Sequence, residues 1–366
     1  MVSIEELIEL LVTRDGSDLH LTAGAPPKIR VHGELISVEG MDVLTPEASQ
    51  KIIYSILDSE QIAYFEKNLE LDFSFGIEGL GRFRTNVFQQ RGAVGAVLRL
   101  IPYEIRGFRE LGLPEDLCKT LCSKPKGLVL VTGATGCGKS TTLAAMIDYI
   151  NELRKEHIVT IEDPIEFIHP NKGCLINQRE VHADTHGFKN ALRSVLRQDP
   201  DIVLVGELRD CETIEAALTI SETGHLTFGT LHTSDTVQTV NRIIDVFPAH
   251  QQQQIRTLLS FTVQAVFCQQ LLPRADGKGR CLCQEIMVAT AAVRALIRDD
   301  KAHQIYSIIQ TSGKVGMKTM NMSLYELQTA GLITRQTAFE RSMDPGDLQR
   351  MFDRGVRDLM EREEAS

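Results

Sequence analysis

Apolar positions along this chain fall into two rhythms. Between residues 127 and 231, short and mostly apolar runs at 128–132, 157–162, 202–205 and 226–231 read as buried strands. Stretches of helical spacing separate them, such as Thr141-Thr142-Leu143-Ala144-Ala145-Met146 after the first run. Strands alternating with helices predict a mostly parallel sheet, and so an α/β domain. Upstream, an amphipathic helix at 4–12 and extended runs at 18–22 and 29–31 precede a helical stretch from 46 to 57 and on to 68. Extended runs follow at 72–75, 81–89 and 95–101, so a small α+β domain is expected to end near Ile101-Pro102. Pro102, Gly107, Gly112, Pro114, Pro125 and Gly127 punctuate the connector that follows, a hinge candidate. The expected organisation is an N-terminal domain over 1–102, a linker over 103–117 and a second domain over 118–366. Beyond about residue 249 the pattern reads mainly helical, at 252–272, 291–298, 303–311, 321–330 and 335–341, with a charged, frayed end at 361–366.

Between the first strand and its helix lies Gly133-Ala134-Thr135-Gly136-Cys137-Gly138-Lys139-Ser140, a complete G-x-x-x-x-G-K-S phosphate-binding loop followed by Thr141. Its glycines let backbone N–H groups turn toward a pyrophosphate, and the helix N-terminus adds its positive dipole end. Lys139 would reach the β- and γ-phosphates of a nucleotide, and the Ser140 hydroxyl would ligate Mg²⁺. A chance Gly-rich turn has no reason to sit between a strand and a helix in this order.

Three further segments bring carboxylates or imidazoles to strand ends. The apolar strand 202–205 runs into Gly206 and then Glu207. Many phosphate-loop enzymes place a Mg²⁺-binding aspartate where Gly206 stands, so Glu207 is cast instead as the group that orients or deprotonates the attacking water. The plainer alternative is a surface glutamate starting a turn. Thr160-Ile161-Glu162-Asp163-Pro164-Ile165-Glu166 supplies Glu162 and Glu166, which could reach Mg²⁺ through water, hold the nucleophile, or simply pair with arginines as loop acids. In 224–233, His232 at the strand end is placed to sense the γ-phosphate and His225 lies at the other end. Strand parity sets the two on opposite faces unless Gly229 forms a bulge, which argues against joint metal ligation. A histidine satisfied by backbone groups explains either equally well.

Length and composition bound these readings. A chain of 366 residues exceeds one ordinary core, which favours two domains. No apolar run approaches the roughly 20 residues that span a bilayer, and Met1-Val2-Ser3-Ile4-Glu5-Glu6 lacks the basic start of a signal peptide, so a cytoplasmic protein is expected. The net charge of −10 disfavours general affinity for nucleic acid or anionic lipid, and makes protein the better candidate for any polymer it works on. Aromatic content of 5% without tryptophan argues against a nucleic-acid motor that stacks bases. Of the eight cysteines, Cys281-x-Cys283 and Cys118-x-x-x-Cys122 are the only close pairs, and neither has zinc-site spacing. All eight read as reduced thiols, with Cys137 incidental to the loop and Cys281 and Cys283 sharing one face of a strand.

Taken with Ala191-Leu192-Arg193-x-x-Leu196-Arg197 before Asp199, segments 133–140, 160–166, 202–207 and 224–233 resemble the secretion ATPases of type II secretion and type IV pilus machines, most of all their PilT-type pilus-retraction branch. In that family they are the Walker A motif, the Asp box, an atypical Walker B motif and the His box. The resemblance extends to Ser17-Asp18-Leu19-His20-Leu21 and Pro26-Pro27-Lys28-Ile29-Arg30-Val31-His32-Gly33. It implies a PAS-like N-terminal domain and a RecA-like P-loop ATPase domain with added C-terminal helices, joined by a mobile linker and assembled as a homohexamer. It implies ATP and Mg²⁺ as cofactors, with Glu207, Glu162 and His232 in the chemistry and N-terminal arginines closing over the nucleotide. Arg84 and Arg99 match those arginines best, and Arg82-Phe83-Arg84 sets two guanidiniums on one strand face. The implied activity is type IV pilus retraction, or twitching motility, by pilin disassembly. The implied partners are an inner-membrane platform protein and, through it, pilin, with no nucleic acid and no membrane insertion. Retraction members carry Ala-Ile-Arg-Asn-Leu-Ile-Arg-Glu; here Ala292-Val293-Arg294-Ala295-Leu296-Ile297-Arg298-Asp299 keeps the two arginines but not the asparagine and glutamate, and the arginines are expected to form one output surface or, alternatively, subunit-interface salt bridges. A pilus-extension or type II secretion ATPase is the rival reading; extension members typically carry a zinc-binding cysteine tetrad, and none is seen in this sequence.

Overall fold

The computed structural model describes residues 3–14, 16–31, 34–77, 80–101 and 105–364, without the side chains of 355–364. The chain divides into two units: Met1–Glu104 with Glu166–Ile168, and Ile105–Ile165 with His169–Ser366. The expected domain end at Pro102 and the start of the linker at 103 fall outside the described residues.

The first unit opens with α1 (Ile4–Thr13), started by a capping box in which Ser3 accepts from the Glu6 N–H and the Glu6 carboxylate accepts from the Ser3 N–H. Ile4, Leu7, Ile8 and Leu11 recur at helical spacing and are all buried. Then come β1 (Gly16–Leu21), β2 (Lys28–Val31), β3 (Glu34–Ser37), α2 (Pro46–Tyr54), α3 (Ser59–Asn68), β4 (Glu70–Ile77), β5 (Gly81–Gln90) and β6 (Ala93–Ile101). The helical stretch expected to run on to 68 is two helices, because Asp58 caps α3 with its own capping box to Gln61. The strands form an antiparallel sheet in the order β3-β2-β1-β6-β5-β4. Leu19, Ile29, Phe83 and Leu98 join Leu7, Leu11, Ile53 and Phe65 in the core. Strand alternation therefore puts Asp18, Arg30, Arg84 and Arg99 on the opposite face.

In the second unit, α4 (Glu115–Cys122) leads into β7 (Gly127–Thr132), α5 (Lys139–Leu153), β8 (His157–Glu162), β9 (Leu175–Glu180), α6 (Phe188–Val195) and β10 (Ile202–Val205). There follow α7 (Cys211–Glu222), β11 (Leu226–Leu231), α8 (Thr236–Asp245), α9 (Ala249–Thr262), β12 (Val263–Pro273) and β13 (Arg280–Val288). Helices α10 (Ala291–Arg298), α11 (Ile305–Thr311), α12 (Met320–Thr329), α13 (Arg335–Arg341) and α14 (Pro345–Glu364) complete it. The sheet order is β13-β12-β7-β11-β10-β8-β9, parallel except for the β12–β13 pair. Every residue of β7, β10 and β11 is buried, as covering both faces of a parallel sheet requires. Leu128 and Leu130 point into one core, Val129 and Val131 into the other.

Three expectations change. Segment 252–272 is a helix only to Thr262; the remainder is β12, parallel to β7, and its antiparallel pairing with β13 makes the sheet mixed. The edge strand β9 was not anticipated, since its polar Asn177, Gln178, Arg179 and Glu180 mask the pattern. Helix α14 continues to Glu364 rather than fraying from 361, while Ala365 and Ser366 lie outside the described residues. Within the expected connector, Phe108 and Leu113 are buried in the core that Val129 and Val131 enter.

Candidate active site

The phosphate loop is shaped by what lies behind it. Gly133 has φ +138°, and a Cβ there would stand 2.4 Å from the Gln269 carbonyl oxygen and 2.6 Å from Cys137 Sγ, so only glycine fits. Gly136 and Gly138 also take positive φ, of 77° and 93°, and turn the chain into α5. Among the described residues no side chain caps α5, which leaves its first N–H groups to an incoming anion. Ala134, Thr135 and Gly136 are exposed, and Ser140 and Thr141 half-buried. Lys139 Nζ donates to the carbonyls of Gly133 (2.9 Å) and Ala134 (3.2 Å), folding the ammonium over the loop. Cys137 is not incidental. Its side chain is buried beneath the loop, and burial pushes its thiol above the ordinary range.

Gln269 on β12 braces this arrangement twice. Its carbonyl abuts Gly133, and its buried side-chain amide donates to Thr142 Oγ1 at 2.9 Å, one turn into α5. Sequence reasoning missed it because the segment reads as helix.

Four adjacent parallel strands end together beside the loop. Leu231 pairs with Thr132, and Val205 pairs with both Gly229 and Ile161, so the loop, His232, Glu207 and Glu162 leave one sheet edge. Open α/β sheets bind ligands at this edge. Glu207 Oε1 lies 3.3 Å from His232 Nε2, and its Oε2 accepts from Arg209 Nη2 at 2.7 Å. Burial pushes the Glu207 carboxyl up, but Arg209 and His232 outweigh it and hold the group below the usual range, ionised at neutral pH. Arg209 was also missed; its only signal is its place two residues after Glu207. Gly206 has a spatial cause: a Cβ there would come within 3.1 Å of the Ile161 carbonyl oxygen and 3.2 Å of Glu162 Cα. An aspartate at this position would crowd the β8 backbone.

Glu162 Oε1 accepts from Thr160 Oγ1 (2.6 Å) and from Gln178 Nε2 of β9 (3.2 Å), so its direction is fixed from two strands. Glu166 falls in the short segment that groups with the first unit. His225 lies at the far end of β11, with Nδ1 3.0 Å from the Ile220 carbonyl oxygen. Strand β11 pairs in register with both neighbours, without a bulge at Gly229.

In the first unit, Arg84 on β5 stands directly opposite Arg99 on β6. Arg99 Nε donates to Asp18 Oδ1 at 2.8 Å, whereas Arg84 is exposed and makes no hydrogen bond or ion pair among the described residues.

The two arginines expected to form one surface on α10 are engaged differently. Arg294 Nη1 donates to the carbonyls of Ser260 (2.6 Å) and Phe261 (2.9 Å), and Nε to that of Ala289 (3.0 Å). It satisfies the last carbonyls of α9, while Arg298 alone stays exposed. Replacing Arg294 with Ala should therefore destabilise the second unit by about 1–3 kcal/mol, the worth of charge-assisted bonds to partners left unmet. A fall in thermal midpoint reads this out, and an unchanged midpoint would show that α9 ends without help. Cys281 and Cys283 do share a face of β13, with Cys283 Sγ 3.4 Å from Met320 Sδ and its thiol pushed by burial to about 12. Among the described residues, no helix is long and apolar enough to cross a membrane.

Known proteins match this arrangement across nearly the whole chain. The family described as Type II/IV secretion system protein matches residues 82–278. The type IV pilus retraction ATPase PilT of Pseudomonas aeruginosa is 51% identical over 94% of this chain and 99% of its own length. A twitching motility protein of Neisseria gonorrhoeae is 48% identical, covering 87% of this chain and 84% of its own. A crystal structure of the pilus retraction motor PilT with bound ADP superposes with a TM-score of 0.90 at 49% identity, covering 96% of this chain and all of that one. On this family match and these identities, the chain belongs to the Type II/IV secretion system protein family, as an ATPase of its PilT-type pilus-retraction branch.

Proposed function

We propose that this chain is the motor of type IV pilus retraction: a homohexamer that hydrolyses ATP in the cytoplasm at the pilus base and, through an inner-membrane platform protein, draws pilin back out of the filament. The observation that carries this reading is the delivery of the phosphate loop, His232 and Glu207 to one sheet edge in a chain of this family. The finer fold assignment is a PAS-like domain over 1–102, a linker over 103–117 and a RecA-like domain over 118–366. In a deletion strain, the wild-type gene should restore surface twitching and the Glu207→Gln gene should not; loss of assembled pili instead would assign the chain to extension.

In the proposed site, the backbone N–H groups of 133–141 and Lys139 hold the β- and γ-phosphates. Mg²⁺ would be held by the Ser140 hydroxyl together with the nucleotide, with Glu162 contributing through water. The ion would supply charge neutralisation on the phosphates. Glu207 orients the attacking water, and His232, held against it, faces the γ-phosphate. Its depressed pKa makes Glu207 a weak base, which suits orientation better than early proton removal in a loose phosphoryl-transfer transition state.

Arg84 and Arg99 would add cationic contacts from the N-terminal domain. Like charges directly opposite on neighbouring strands are unfavourable; Asp18 offsets this for Arg99, no described residue does so for Arg84, and a polyphosphate would give both a purpose. Arg84→Ala and Arg99→Ala should each lower turnover by roughly ten- to a thousandfold with ATP still bound. Unchanged turnover would remove that arginine from the reaction.

A further inference from the structure

A buried acid stands behind Arg99. Asp18 lies on β1 directly between Arg30 on β2 and Arg99 on β6, and is only 3% exposed. Both its oxygens are used. Oδ1 accepts from Arg99 Nε at 2.8 Å; Oδ2 accepts from Ser17 Oγ at 2.7 Å and lies 3.7 Å from Arg30 Nε. Burial alone would push this carboxyl up, yet Ser17 and Arg99 outweigh it and keep it below the ordinary carboxylate range. Its charge is thus present at neutral pH and would be lost only as pH falls through the depressed pKa.

The tether is one-sided. Only Nε of Arg99 is engaged, its side chain remains 68% exposed, and Nη1 and Nη2 have no hydrogen-bond partner among the described residues. A guanidinium held at Nε has surrendered much of its rotamer freedom before any ligand arrives, while its terminal edge stays open for a forked contact to an oxyanion. Arg84, opposite it, has no such tether.

We propose that Asp18 is a positioning residue for the hydrolysis reaction: it pre-sets the Arg99 guanidinium so that its Nη edge is presented to the triphosphate, with Ser17 holding the far carboxylate oxygen. This rests on the role given to Arg99 above. The cost of orienting a long, exposed side chain is met in the resting fold, and so should register in kcat more than in ATP binding.

The test is a double-mutant cycle on the full-length chain, read as kcat and KM for ATP, with oligomeric state and thermal midpoint recorded for each variant. Asp18→Asn keeps the shape and removes the charge; kcat should fall about tenfold with KM changed less than about twofold. The same substitution in an Arg99→Ala background should cost nothing further, because the residue it positions is gone. Ser17→Ala is the milder second variant, expected to lower kcat by about threefold and likewise to be silent without Arg99. It carries the test alone if Asp18→Asn does not fold. An undivided loss that persists in the Arg99→Ala background would show that Asp18 serves only the sheet and would overturn the proposal. Normal kcat in the folded single variants, with Arg99→Ala impaired, would overturn it while leaving Arg99 in the reaction. Normal kcat in Arg99→Ala itself would instead bring down the reading of Arg99, and the positioning role with it.

Discussion

Lys139→Ala abolishes tight ATP binding together with hydrolysis: this is the expected result with the largest effect. The lysine is the cation nearest the loop, and its ammonium already bonds the Gly133 and Ala134 carbonyls that frame the phosphate cradle. Removing it takes away a charge-assisted contact to the β- and γ-phosphates that the loop's backbone N–H groups and the helix dipole do not replace. Charge-assisted bonds of this kind are each worth about 1.5–3 kcal/mol, and those made only in the transition state add to the loss in turnover. Nucleotide titration and steady-state hydrolysis on the same preparation measure both effects. Hydrolysis near the wild-type rate would remove the phosphate loop from the mechanism.

Glu207→Gln separates binding from chemistry. The amide keeps the shape and a hydrogen bond to Arg209 or His232, but loses the charge those groups stabilise. ATP should bind with near-normal affinity while turnover falls by roughly two to four orders of magnitude. The sign of the pH dependence follows from the depressed pKa. In the wild type the carboxylate is charged through neutral pH, and its contribution disappears only as pH falls through that lowered value. An acid limb below the ordinary carboxylate range that vanishes in Glu207→Gln would match; normal turnover in the variant would shift attention to Glu162.

Much of this site was legible because its signals are local. The wholly buried strands β7, β10 and β11 announce themselves as uninterrupted apolar runs, and the phosphate loop carries its own glycines and lysine. Gly206 was visible as the place of a missing aspartate, but not its reason, which is the approach of the β8 backbone. Strand β12 was hidden because it follows α9 at Val263 with no glycine or proline at the junction, so helical periodicity runs straight into it. Its loss from the sequence reading took Gln269 with it. The bonds of Arg294 were hidden for a different reason: an i,i+4 pair on a helix looks like a surface, and the Ser260 and Phe261 carbonyls that accept from the guanidinium lie more than thirty residues earlier. The Asp18–Arg99 pair spans 81 positions, a separation at which spacing carries no information.

The buried cysteine of the phosphate loop bears on how the enzyme ages in an oxidising challenge. Thiols react with peroxides and electrophiles as thiolates, and only where reagents can reach them. Cys137 sits at the centre of the nucleotide loop, yet its sulfur is shut beneath the Gly133 turn and its ionisation is made harder by the burial that packs it there. The other seven thiols are shifted in the same direction, Cys118 and Cys268 to about 12. Sulfur at the centre of the nucleotide loop is thus kept from reagents by packing, and that packing is the same that forces glycine at position 133.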